Sequence, residues 1–274
     1  MATALALLVL APSALASSHH PTGEFSQFGE CPLSNATLEN CVYSLSNGGA
    51  FTVGSKTVPL VNPVTLQGGY SGAGENVQFV GAENGETLSK TPQPVPGGLL
   101  GVTAPTWWPI WVQSWFNNLI NEGFTGVTAT VELARPASEI KLSTENLLTR
   151  TGTALGLPVK IKLSNAILGS NCYIGSSSSP VQLKFTTGKS GSLEGAVGNV
   201  EFNSEFTLVT ISGGKLVDGT FAAPAASGCA GIFSVFVDPL VNSILGLPAG
   251  SGKNSAVLEG VLKSANANAV RASE

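Results

Sequence analysis

Four carboxylates, Glu194, Glu201, Glu205 and Asp218, fall within one stretch of predicted strands. Paired carboxylates can hydrolyse a glycosidic bond without histidine: one protonates the leaving group while the other attacks or activates water. That route matters because the chain has only two histidines, His19 and His20, both near the amino terminus. A Ser-His-Asp or Cys-His arrangement is therefore not expected, and no H-E-x-x-H zinc motif is present. Gly191-Ser192-Leu193-Glu194-Gly195 is offset from the nucleophile-elbow pattern. Thr187-Gly188-Lys189-Ser190 ends like a phosphate loop, but Leu183 stands where the first glycine belongs. Ser212-Gly213-Gly214-Lys215 matches S-x-x-K in letters only, at a predicted turn and without its companion motifs. Scattered acids are usually solvated strand faces. A carboxylate-based glycan hydrolase is thus the alternative reading; no catalytic residue, cofactor or metal set is assigned.

The tryptophans are more pointed. All four, Trp107, Trp108, Trp111 and Trp115, lie within nine residues. Thr106 can cap a helix there, Pro109 falls in its first turn and Gly123 can end it. At 100° per residue the tryptophans share one broad arc with Val112, Phe116, Leu119 and Ile120. That spacing reads as a helix packed on a sheet. The arc is wide enough to leave one edge exposed, so the four tryptophans are also the candidate ligand-binding surface, facing sugar or lipid.

Cysteine usage indicates compartment. Cys31, Cys41, Cys172 and Cys229 are an even set with no C-x-x-C spacing, as in an exported disulfide protein. Three pairings are open. If Cys31 and Cys41 close the short local loop, Cys172 and Cys229 follow. Residues 2–11 form an uncharged apolar run, broken by Pro12 and Ser13 and followed by Ala14-Leu15-Ala16. This is a cleavable signal-peptide pattern with the cut after Ala16, although its n-region lacks Lys or Arg. The run is too short to span a bilayer, which takes roughly 20 apolar residues. Cleavage there would place Ser17-Ser18-His19 first, an arrangement that can hold Cu(II) in a square plane.

Composition narrows the partners. Charged residues are 11% of the chain and the net charge is −4, so no basic patch exists to replace phosphate counterions or bind an anionic membrane surface. Nucleic acid is excluded as a partner, and no transmembrane segment is expected after signal cleavage.

Short apolar stretches punctuated by Gly and Pro read as strands at 50–53, 56–60, 64–67 and 77–80. Strict alternation marks three more, at 127–133, 159–163 and 181–185. Residues 206–211 and 215–221 read as a hairpin about Ser212-Gly213-Gly214. Asp238, Pro239 and Gly246 mark a second helix, and 256–262 is the last strand. The apolar stretch 231–247 is broken by Asp238, Pro239 and Asn242, which suits a core position. Leu163–Gly169 echoes Leu240–Gly246, and Leu155-Gly156-Leu157-Pro158 echoes Leu245-Gly246-Leu247-Pro248.

Three segments carry a resemblance: Gly54-Ser55-Lys56-Thr57-Val58-Pro59, Leu168–Ser176 with its Cys172-Tyr173-Ile174-Gly175-Ser176, and Gly246–Leu258. The chain resembles a group of exported actinobacterial proteins of unknown function, over about residues 25–262. The resemblance implies export and a Cys172–Cys229 pairing. It brings no catalytic residue.

The expected fold is mainly β, a β-sandwich or flattened barrel with two or three short helices and two disulfides. The expected organisation is a signal peptide over 1–16, a flexible mature terminus over 17–30, one β-rich domain over 31–264 with a division point at the Pro-rich segment 90–98, and a flexible tail over 265–274. The expected function is a non-enzymatic structural or binding protein, secreted or at the cell envelope. The alternatives are the glycan hydrolase and a lipid- or apolar-ligand-binding protein using the Trp-rich helix.

Overall fold

The computed structural model describes residues 19–74, 77–98, 106–114 and 126–274. The proposed signal peptide at 1–16, the dipeptide Ser17-Ser18, and the Trp-rich segment from Trp115 onward lie outside the described residues. The chain is mainly β, as expected, with two packed antiparallel sheets of seven strands each, a two-stranded ribbon of β11 (Lys189–Ser190) and β12 (Leu193–Glu194), and a short helix α1 (Thr144–Thr149) among its helices.

The first sheet is built on long central strands. β1 (Asn40–Val53) pairs with β16 (Ser255–Asn266) on one side and β3 (Val64–Ser71) on the other. β4 (Gln78–Gly81) borders β3, and β14 (Leu208–Asp218) with β13 (Asn199–Phe202) continues beyond β16. β2 (Lys56–Pro59) folds back on the end of β1 and has no other neighbour in the sheet.

The second sheet hangs on β8 (Leu155–Ser164), which divides each of its flanks between two partners. One flank takes β6 (Thr128–Leu133) and then β7 (Lys141–Leu142). The other takes β9 (Cys172–Ile174) and then β10 (Val181–Phe185). Pro158 sits in this central strand at no cost to the ladder. Its carbonyl accepts Ala134 N–H on the β6 side, so its missing donor faces the gap between β6 and β7. β5 (Gln93–Pro94) and β15 (Ala226–Ser227) form the edges. Val42, Leu66 and Phe79 from one sheet meet Leu157, Val159 and Phe185 from the other in the main core.

Several sequence expectations are corrected. Residues 206–221 are not a hairpin: β14 runs through Gly213-Gly214 unbroken, and the glycines form a bulge opposite Gly260, with Gly213 at φ +67. The true hairpin joins β13 to β14. The internal echoes have no structural counterpart. Leu155–Pro158 is buried strand, whereas Leu245–Pro248 is a helix end and turn. The segment 90–98 carries the edge strand β5 of the second sheet, with Gln93 buried.

The termini pack against each other. Phe28, Leu33 and Leu38 form a small second core with Leu208, Ala267 and Val270 around Cys31–Cys41. Thr22 N–H bonds Ser273 C=O, and His19 Nδ1 lies 2.6 Å from Glu274 Oε1. Residues 19–30 and 265–274 pack together, the helix α3 (Ala267–Ala272) carrying its apolar side chains to that core.

Candidate functional site

Two apolar segments leave the second sheet at one end. At that end β5 pairs with β6, and Val95 N–H bonds Val127 C=O. The chain between them, residues 96–126, is an insertion that departs and returns at a single point. Thr128 there is the register partner of Ser164, the last residue of β8. One residue back, Leu163 is the partner of Cys172, on the opposite flank of β8. Cys172 is bonded to Cys229, which leads directly into the helix α2 (Ser234–Leu245). The Trp-bearing insertion and α2 thus spring from the two flanks of the same strand end.

The described part of the insertion is a short turn of helix. Gln113 N–H bonds Pro109 C=O at 3.0 Å, placing Pro109 in the first turn as expected. Gln113 reaches back to donate its side-chain amide to the carbonyls of Trp108 and Thr106 at 2.6 and 3.1 Å. Trp107 and Trp108 meet edge to face with centroids 6.0 Å apart. Trp107 is 81% exposed and Trp111 73%, with Ile110 equally open, while Trp108 is half-buried. The exposed edge of the tryptophan arc therefore holds Trp107 and Trp111.

Helix α2 anchors itself through two polar side chains and leaves most of its apolar ones exposed. Asp238 accepts the backbone N–H groups of Gly228 and Cys229. Asn242 both accepts from and donates to the backbone of Ala226, at 2.7 and 2.9 Å. At the far end Ser55 N–H bonds Leu245 C=O, and Ser55 Oγ–H bonds Ile244 C=O, so the β1–β2 turn caps the helix. These polar anchors leave Ile232, Phe233, Val235, Phe236 and Leu240 in solvent, with Ile232 90% exposed and Phe236 75%. Asp238 is not the helix cap expected from sequence. Nor is 231–247 a core segment: Val241 and Leu245 are buried, but the opposite face is open. The spacing held that signal, since positions 238 and 242 lie four apart and mark one polar face, opposite an apolar one.

Behind α2 lies an apolar cavity between the sheets, with about 550 Å³ of empty space including its opening to solvent. Phe51, Val53 and Val58 of the β1–β2 hairpin form one wall. Ala129, Val131, Ile161, Leu163 and Ile174 of the second sheet form the other, with Val95 and Leu245 between them. Lys56 and Gln93 are its polar members. A second cavity, of about 620 Å³ counted the same way, lies along the bulged middle of the first sheet near Ser46, Gly214 and Gly260. Among the described residues neither cavity has an Asp or Glu in its lining.

The four acids do not converge on either. Asp218 is fully buried and accepts from Lys184 N–H, from the Thr220 backbone and hydroxyl, and from Ser190 Oγ–H. Glu194 is exposed and pairs with Arg150 at 2.9 Å. Glu201 accepts from Asn199 at 2.7 Å, and Glu205 stands in solvent near the β13–β14 turn. The cysteines pair as Cys31–Cys41 and Cys172–Cys229. Among the described residues no group of three or more His, Cys, Asp or Glu could hold a metal ion. His19 Nδ1, the ring nitrogen an amino-terminal copper chelate requires, is engaged by Glu274. No helix among the described residues is long and apolar enough to cross a membrane.

No family model, curated protein or solved structure matches this chain.

Proposed function

We propose that this chain is an exported, non-enzymatic binding protein that sets its apolar end into a lipid surface and takes an apolar ligand into the cavity behind it. The observation that carries the reading is the construction of α2. Its inner residue Leu245 closes the cavity, while Phe236 and its neighbours lie open on the outer side. The segments 106–114 and 231–237 contain no charged residue. Uncharged apolar surfaces of this kind, one of them bearing exposed tryptophan, suit the acyl–headgroup boundary of a bilayer. Two disulfides suit an oxidising, extracytoplasmic setting.

The test is co-sedimentation with neutral phosphatidylcholine vesicles. The full chain is expected to pellet with them, little affected by salt, because the contact is apolar. Phe236→Ser, and Trp107→Ser with Trp111→Ser, should each weaken pelleting roughly tenfold or more, the loss of one to two buried aromatics. Phe206→Ser is the control, since Phe206 is as exposed but sits on the β13–β14 turn. Equal losses at Phe206, or no pelleting of the unaltered chain, would overturn the reading.

A further inference from the structure

We propose that the cavity behind α2 takes a single-chain amphiphile with a carboxylate head, and that Lys56 pairs with that head. This rests on the apolar-binding reading above and names its ligand class.

Strand alternation places the lysine. In the β1–β2 hairpin Val53 is opposite Lys56 and Phe51 is opposite Val58. Residues 56 and 58 share a face, and both are half-buried, while Thr57 and Pro59 are exposed on the other. Lys56 thus stands on the inward face, against the cavity wall. It follows Ser55, which caps the carboxyl end of α2, so it marks the end of the cavity where helix and hairpin meet.

Its charge is unanswered. The Lys56 side chain has no ion pair or hydrogen bond among the described residues. Gln93, the other polar member of the lining, is already used: its Oε1 accepts the N–H groups of Val61 and Asn62, and its Nε2 donates to Asn62 C=O. One unpaired cation at the rim of an acid-free apolar space selects an anion with an apolar body, because a half-desolvated charge is stabilised by a direct partner. Among the described residues no second cation lines the cavity, so the match is to a monoanion; a doubly charged phosphomonoester would leave charge unneutralised. The tail would lie between Val131, Ile161 and Ile174.

The experiment is calorimetric titration of the disulfide-intact chain with dodecanoate, dodecanol and dodecyltrimethylammonium, each below its micellar concentration. Dodecanoate is expected to bind at least tenfold tighter than dodecanol, and the cationic amphiphile weakest. Lys56→Gln should reduce dodecanoate to the level of dodecanol and leave dodecanol unchanged, whereas Lys56→Arg should keep the preference. Inward charges also guard edge strands against association. If Lys56→Gln promotes self-association but dodecanoate and dodecanol bind alike to every variant, Lys56 is an edge guard only and the inference falls while apolar binding stands. Binding of none of the three by a chain that still pellets with vesicles overturns the carboxylate inference and the ligand half of the reading above, and leaves the membrane half standing. Failure of both measurements overturns both readings.

Discussion

Asp238 Oδ1 accepts the backbone N–H of Cys229 at 2.8 Å, and its Oδ2 accepts that of Gly228 at 3.1 Å. A carboxylate in the middle of α2 thus fixes the loop that carries the Cys172 disulfide partner, and with it the attitude of the exposed apolar face. Hydrogen bonds to a charged group contribute about 1.5–3 kcal/mol each. Asp238→Ala is expected to lower unfolding free energy by about 2–4 kcal/mol in urea denaturation. Asp238→Asn, which keeps one acceptor oxygen, should lose less. Equal stability of Asp238→Ala and the unaltered chain would show that the loop holds its shape without this residue.

The two disulfides should differ in weight. Cys31–Cys41 spans a sequence separation of 10, and Cys172–Cys229 one of 57. By the loop-entropy argument they contribute about 3 and about 4 kcal/mol. The paired replacement Cys172→Ser/Cys229→Ser is expected to cost more, and to weaken vesicle binding by freeing α2. The Cys31→Ser/Cys41→Ser pair should cost stability and leave vesicle binding intact, because it sits in the separate core formed by the termini. Denaturation and co-sedimentation on both paired variants check this.

The alternating strands could be read from sequence because one face meets the core and the other meets water. Val181–Phe185 is the clearest case, with Val181, Leu183 and Phe185 buried and Gln182 and Lys184 exposed. The first half of β1 was illegible for the opposite reason. Ser44, Ser46, Asn47, Gly48 and Gly49 give no alternation, and the strand is held by pairing on both sides through a bulge at Ser46/Gly48. At the site, the tryptophans and the cysteine pairs were visible as residue types. Lys56 was not, because a cavity made by a hairpin facing a sheet far away in sequence leaves no local trace. Helix α2 misled because apolar residues normally turn inward; here Asp238 and Asn242 share the inward face with Val241 and Leu245, which leaves the remaining apolar residues outside.

Gly54 should tolerate no side chain. It has φ +59, and a Cβ there would lie 2.0 Å from the Leu245 carbonyl oxygen. That approach lets the β1–β2 turn cap α2. Gly23 is the matched control, with φ +61 and open space around it. Gly23→Ala carries only the left-handed backbone penalty, about 1–2 kcal/mol. Gly54→Ala adds a backbone collision and is expected to exceed that by at least about 2 kcal/mol. Thermal and urea melts of the two variants compare them directly; similar losses would mean that the turn and helix can separate freely.

Tyr70 sets an alkaline limit on stability. Its ring is buried in the main core, and its hydroxyl lies 2.8 Å from Ser264 Oγ, across the first sheet. Burial pushes the phenol pKa above the ordinary 10.0; the Ser264 hydrogen bond partly opposes this, and the nearby Glu39 carboxylate adds to it. In the unfolded chain the phenol ionises first. Between the two pKa values the folded state therefore binds more protons, and unfolding free energy falls as pH rises. The contribution is fully present below pH 10.0, the unfolded value, and is lost as pH climbs through the raised folded value. The limiting slope is about 1.4 kcal/mol per pH unit. Tyr70→Phe should remove this share of the alkaline decline, at a cost near neutrality of about 1 kcal/mol for the lost hydrogen bond. Urea denaturation from about pH 8 upward, beside an ultraviolet phenolate titration, measures both. An unchanged alkaline slope in Tyr70→Phe would assign the decline to other groups.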